Sequence, residues 1–326
     1  MTSNATAPAQ AAAGRSWRDV LASSWRQNVI YLGFVGIFVL FSVTLYDQGF
    51  LDPNNLLNII RQTAMISVMA VAMTFVLSAG EIDLSIGAVA GLASVTTAMG
   101  IDAGGVPVGV LAGLLTGVVV GLANGLLLTR VGIPSFLTTL AMMGIATGSA
   151  MWVSGTAAIP ILAKGYSYAF GGGNVGPVPT LLLWTLLFGV VGHLVLRRTS
   201  FGRRVLATGG SETAARYSGV DTRGIKLRVL LISAVAAAVA GMLYAGRLQS
   251  GRFQWGAGDE LSAIAAVILG GTSLFGGAGT VVGTAFGALL IGLINNGLVL
   301  AGLESSQQQI VRGAIIILAV ALARKK

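Results

Sequence analysis

Apolar runs of membrane-spanning length recur along almost the whole chain, broken by short polar or glycine-rich stretches. They fall near 29–46, 56–79, 82–101, 106–128, 136–153, 180–196, 229–245, 261–275, 279–301 and 309–323. A bilayer core of about 30 Å takes roughly 20 apolar residues as a helix. The pattern therefore predicts about ten transmembrane helices. The run at 261–275 is short and ends in Gly270-Gly271-Thr272, which marks a broken helix. Residues 1–28 are rich in Ala, Ser, Thr and Pro and read as an amino-terminal tail. No small-residue cleavage site follows the first apolar run, so that run is not a signal peptide. Residues 29–326 read as a single transmembrane domain.

Composition agrees with the pattern. Of 326 residues, 55% are hydrophobic and only 10% charged, with a mean hydropathy of +0.84. A soluble chain carries about 25% charged residues, and none of this length could hide so much apolar surface and still cover itself. The fold class is all-α polytopic membrane protein with one or more broken helices.

Charge then sets an orientation. With the amino terminus inside, Arg15, Arg18, Arg26, Arg130, eight basic residues between Arg197 and Arg228, and Arg324, Lys325 and Lys326 all fall inside. Only Lys164, Arg247 and Arg252 fall outside, with Arg61 and Arg312 in spans. The positive-inside rule places both termini in the cytoplasm. The net charge of +9 is accordingly a topology signal, and no nucleic-acid partner is expected.

Several chemistries are excluded. The chain has no cysteine and one histidine, His193, so thiolate catalysis, cysteine metal sites and di-histidine ligation are absent. No Gly-Lys dipeptide occurs, which removes the phosphate-cradling loop of P-loop ATPases. No Ser/His/Asp constellation can be assembled. The chain is not read as an enzyme, and no cofactor or metal is expected on it.

Glycines at 109, 113, 117, 121 and 125 recur every four residues, as do those at 279, 283 and 287. Such spacing lets helix backbones approach closely, either within one subunit or across a subunit seam. Glu81-Ile82-Asp83-Leu84-Ser85 is faintly echoed by Asp259-Glu260-Leu261-Ser262, and Asn124-Gly125-Leu126 by Asn296-Gly297-Leu298. A shift of five spans between copies gives them inverted topology, as in many transporters. Coincidence among small residues explains the echo equally well.

Three stretches carry a specific signal. The first is Gly80-Glu81-Ile82-Asp83-Leu84-Ser85-Ile86-Gly87. The second is Gly209-Gly210-Ser211-Glu212-Thr213-Ala214-Ala215-Arg216-Tyr217-Ser218-Gly219-Val220, inside the basic loop 197–228. The third runs from Ile268 through Gly270-Gly271-Thr272 and Gly276-Gly277 to Thr284, followed by Asn295-Asn296-Gly297-Leu298. In this order they resemble the ribose/xylose-type sugar permeases, membrane subunits of bacterial binding-protein-dependent ABC importers. The resemblance extends from about Asn54 to Leu322. Branched-chain amino-acid permeases are similar at a greater distance.

The resemblance implies a multi-pass permease of the bacterial inner membrane that works as a homo- or heterodimer. Two ATP-binding domains, on one or two polypeptides, would dock beneath it, and an extracytoplasmic sugar-binding protein would deliver the substrate. Gly209, Glu212, Ala214, Ala215 and Gly219 fall in the segment that resembles an ATPase coupling helix. Glu81 stands where the family commonly has glycine, which leaves the solute open.

The implied function is ATP-driven alternating access for a small neutral polyhydroxylated solute, a monosaccharide above all. The alternatives are an ion-coupled secondary transporter or an ABC permease for another solute such as an amino acid. Candidate path residues are Glu81, Asp83, Asn124, Asn295 and Asn296, because hydroxyls call for groups that donate and accept. Two bland readings stand beside this one. The carboxylates can cap the helix that follows, and the amides can bridge helices.

Overall fold

A computed structural model describes residues 17–323 of the protein. Most of the expected tail and the basic cluster at 324–326 lie outside the described residues. Helix α1 (Trp17–Thr44) begins within the segment assigned to the tail. The chain continues through α2 (Pro53–Ser78), α3 (Ile86–Leu126), α4 (Ser135–Ser154) and the short α5 (Lys164–Ser167). After these come α6 (Thr180–Arg198), α7 (Ser200–Gly210), α8 (Glu212–Tyr217) and α9 (Thr222–Leu248). The last three are α10 (Asp259–Leu269), α11 (Val281–Leu300) and α12 (Ser305–Ala323). Two small antiparallel pairs complete the fold: β1 (Ile159–Pro160) with β4 (Ser250–Gly251), and β2 (Asn174–Val175) with β3 (Val178–Pro179).

Six helical segments among the described residues are long and apolar enough to cross a membrane. One of them, beginning at Ile86, is two helices in succession. Gly104 and Gly105 leave helical geometry, Gly105 at φ 80° and ψ −177°, a region open essentially to glycine. The chain folds back there, and Pro107 opens the return arm. The Thr96 and Thr116 hydroxyls meet at 2.8 Å across the two arms, and Gly100 lies on the backbone of Gly109. The separate expected runs 82–101 and 106–128 are thus the arms of one hairpin.

α2 and α9 form the buried centre. From Thr63 to Ser78 every residue of α2 is buried, and α9 is nearly as enclosed. Their starts are fixed locally. Asp52 accepts the Asn54 N–H at 2.8 Å beside Pro53, and Asp221 accepts the Gly224 N–H at 2.9 Å, both favoured N-terminal arrangements. The return arm of α3 lies along α9 through its glycines. A β-carbon at Gly117 would fall 2.7 Å from the Ala234 carbonyl, and one at Gly121 2.8 Å from the Leu231 Cα. The four-residue glycine repeat therefore packs helices within this chain. The later repeat does likewise, with Gly283 against Gly270 and Gly287 against Ala266.

α10 has 11 residues, about 16 Å of helix, so it cannot cross the apolar core alone. It stops at the Gly270-Gly271 break, and α11 returns alongside it. Between them Gly271, Gly276 and Gly277 hold φ of +88°, +85° and +78°. Ser273 N–H donates to the Ala278 carbonyl at 3.0 Å, closing the turn.

Candidate functional site

Three polar places draw in the predicted residues. The first is the break at 79–85 between α2 and α3. Non-helical backbone buried in protein needs partners for its amides, and α4 supplies two. Ser135 Oγ accepts from the Ile82 N–H at 3.2 Å, and Thr139 Oγ1 accepts from the Leu84 N–H at 3.0 Å. Asp83 Oδ1 accepts from both the amide and the hydroxyl of Ser85, at 2.9 and 2.6 Å. Asn124, on the return arm of α3, donates from Nδ2 to Ser85 Oγ at 3.0 Å. Asp83, Ser85 and Asn124 are all fully buried.

Ser233 of α9 faces the Asp83 carboxylate. Neither its hydroxyl nor Asp83 Oδ2 completes a hydrogen bond of good geometry, and Asn124 Oδ1 is also unpaired. Among the described residues no ion pair reaches Asp83. Spare buried acceptors beside a hydroxyl are chemistry suited to a hydroxyl-bearing ligand or to water.

The start of α10 lies against this break. Gly87 packs on the Gly256 carbonyl and the Glu260 carboxylate, with no room for a β-carbon, and Gly91 packs on the Phe253 carbonyl. The two echoed acidic motifs thus open two helices at one place. Tyr244 donates a short hydrogen bond to Asp259 and stacks on Trp255, with ring centroids 6.3 Å apart. The Arg252 guanidinium lies 5.6 Å over the Trp255 ring.

The second place is the end of the bundle built by the 197–228 loop. Ser211 caps α8 by accepting the Ala214 N–H, and Gly219 turns the chain at φ +81°. Glu212 Oε1 receives Arg216 at 2.8 Å and Thr222 at 3.2 Å, while Oε2 receives Lys226 at 2.7 Å. The Lys226 hydrogen bond and charge, with help from Arg216 and Thr222, hold the Glu212 carboxyl below its ordinary range. Lys226 Nζ also reaches Glu81 Oε1 at 2.7 Å. Of the coupling-segment residues, Ala215 is buried and Gly209 and Glu212 are half-buried, whereas Ala214 and Gly219 are exposed. Gly209 sits directly on the Ser78 carbonyl, which also accepts the Gly277 N–H at 3.0 Å. Tyr217 is 88% exposed, leaving an apolar ring outside the bundle.

The third place is a reciprocal amide pair. Asn296 and Asn55 exchange hydrogen bonds at 2.8 and 3.1 Å between α11 and the start of α2. Asn295, next in sequence, is half-buried. The five candidate path residues therefore divide. Asp83 and Asn124 share one cluster, Glu81 belongs to the ion bridge, and Asn296 lies with Asn55.

Lys226, Asn55, Thr139 and Trp255 were not singled out from sequence. Lys226 was hidden among loop cations, and the Asn54-Asn55 pair just after Pro53 was the one legible hint. Apolar side grooves of about 390 Å³, walled by Val71, Phe75, Phe188 and Leu231, and of about 470 Å³ beside His193 include none of the candidate residues. Among the described residues no group of acidic, His or Cys side chains could hold a metal ion.

Residues 55–320 match the family described as "Branched-chain amino acid transport system / permease component". The chain belongs to this family. It is similar to the ribose import permease of Bacillus subtilis strain 168, 41% identical over 299 residues covering 90% of this chain and 92% of that one. The Escherichia coli K12 ribose import permease is 36% identical, over 87% of this chain and 90% of its own. The L-arabinose ABC transporter permease of Azospirillum brasilense is 35% identical, over 97% and 91%. No solved structure matches. Family and helix pattern together make this a multi-pass membrane permease, a component of a transport system.

Proposed function

We propose that this chain is the permease subunit of an ABC importer for a small neutral polyhydroxylated solute, a monosaccharide of the pentose class. The observation that carries the reading is the 41% identity with the Bacillus subtilis ribose import permease over 90% of this chain and 92% of that one. An L-arabinose ABC permease, similar over nearly the whole chain, supports the pentose class. In this reading the chain makes ten passes of the inner membrane, counting both arms of α3, and α10 together with the non-helical stretch 251–258 that runs along α3 before it. Both termini and the 197–228 loop are cytoplasmic. ATP-binding domains on separate chains seat on α7 and α8, a second permease completes the pathway, and a soluble binding protein delivers the sugar. The chain itself carries no cofactor. Alternating access moves the helices around the polar break, where Asp83, Asn124 and Ser233 offer a sugar hydroxyl both donors and acceptors.

The test is uptake in cells stripped of their own pentose importers and given this chain with its ATPase and binding protein. Labelled ribose or L-arabinose is expected to enter, and excess leucine not to compete. Leucine uptake with no sugar uptake would overturn the proposed substrate.

A further inference from the structure

One ammonium ties three elements together at the loop end of the bundle. Lys226 lies in the second turn of α9, and its Nζ is 2.7 Å from Glu81 Oε1 and 2.7 Å from Glu212 Oε2. Glu81 belongs to the break that opens α3, and Glu212 to α8. The side chains of Lys226 and Glu81 are only 18% and 8% exposed, so water screens this bridge weakly.

We propose that Lys226 is the positioning residue that transmits displacement of α8 to the membrane break, through Glu212 on one side and Glu81 on the other. The path on each side is short and fully bonded. Glu212 is fixed to its own helix by Arg216 and to α9 by Thr222. On the other side only Ile82 separates Glu81 from Asp83, and the Ile82 amide is held by Ser135. Asp83 in turn holds Ser85, the residue on which α3 begins. Movement of α8 therefore reaches the start of α3 through a chain of directional bonds. The glycine contacts of Gly209 and Gly277 with Ser78 keep the same elements adjacent without that directionality. One lysine between two carboxylates also makes the link conditional. Without the ammonium the carboxylates repel each other, and Glu81 becomes an unpaired buried charge.

The proposal rests on the importer reading, and its test separates the two. The complete importer, reconstituted in vesicles, is measured for sugar uptake and ATP hydrolysis together. Variants are Glu81→Met, Lys226→Arg and the double Glu81→Met/Lys226→Met, which leaves no orphaned buried charge at Glu81. Glu81→Met removes the acceptor, leaves Lys226 paired with Glu212 and is the deciding variant. It is expected to lower uptake per ATP hydrolysed by about tenfold, within the usual range of coupling between linked sites, while ATPase co-purification is retained. The double variant should fall as far, and Lys226→Arg should keep most of the parental ratio. Parental uptake per ATP in Glu81→Met overturns the relay. A parental complex in which ATP drives no uptake overturns the importer reading instead.

Discussion

Thr139 shows how one side chain sustains an irregular backbone inside a membrane protein. Its hydroxyl accepts from the Leu84 amide and donates to the carbonyl of Ser135, on its own helix, at 2.8 Å. Thr139→Val keeps the shape and leaves that amide without a partner, a cost of about 1–3 kcal/mol. Melting in detergent is expected to fall accordingly, with Thr139→Ser close to the parent; an unshifted midpoint for valine would show the break to be held by other means. At this scale the sequence was half legible. Glu81, Asp83 and Ser85 stood out because carboxylates are rare in an apolar chain. Their partners did not, since Ser135, Thr139 and Ser233 are ordinary hydroxyls whose roles depend on a neighbouring helix. Asn124 was chosen as an intramembrane amide and does lie with Asp83. Asn296 was chosen by the same rule and pairs with Asn55 elsewhere. An amide in an apolar run signals a polar partner without saying which.

Helices were more legible than their neighbours. Apolar runs located helices, six of which among the described residues are long and apolar enough to cross a membrane. Gly104 and Gly105, which turn α3 back on itself, were not singled out. Nothing in the runs distinguished the buried α2 from the largely uncovered α4 and α6, because a membrane helix is apolar on every face. The packing signals were the two glycine repeats: the ridge of α3 proves to face α9, and that of α11 faces α10. Gly121→Leu would drive a side chain into the Leu231 backbone and the Ala234 methyl. Overpacking of this kind costs about 1–3 kcal/mol. The expected outcome is a lower melting temperature, in contrast to Gly144→Leu on α4, where a β-carbon meets nothing within 4 Å. Equal melting of the two variants would mean that the ridge faces something other than α9. The half-length of α10 followed from its short apolar run and the Gly270-Gly271 break, whereas its position against Gly87 came only from the fold.

For the whole molecule, the polar break and the 197–228 loop meet at one end of the bundle, where Lys226 joins Glu81 to Glu212, and the buried helices α2 and α9 run away from that junction. In the proposed importer, force applied at α8 opens a path further in, and the energy source lies outside this chain. Ion-driven transport would put the energy source inside the bundle, at a carboxylate such as Asp83. The two schemes separate in one measurement: sugar accumulation by vesicles containing the permease with or without its ATPase, under ATP or under a proton or sodium gradient. Accumulation is expected only when ATPase, ATP and binding protein are all present, with no response to either gradient. Accumulation by the permease alone on an ion gradient would contradict the account.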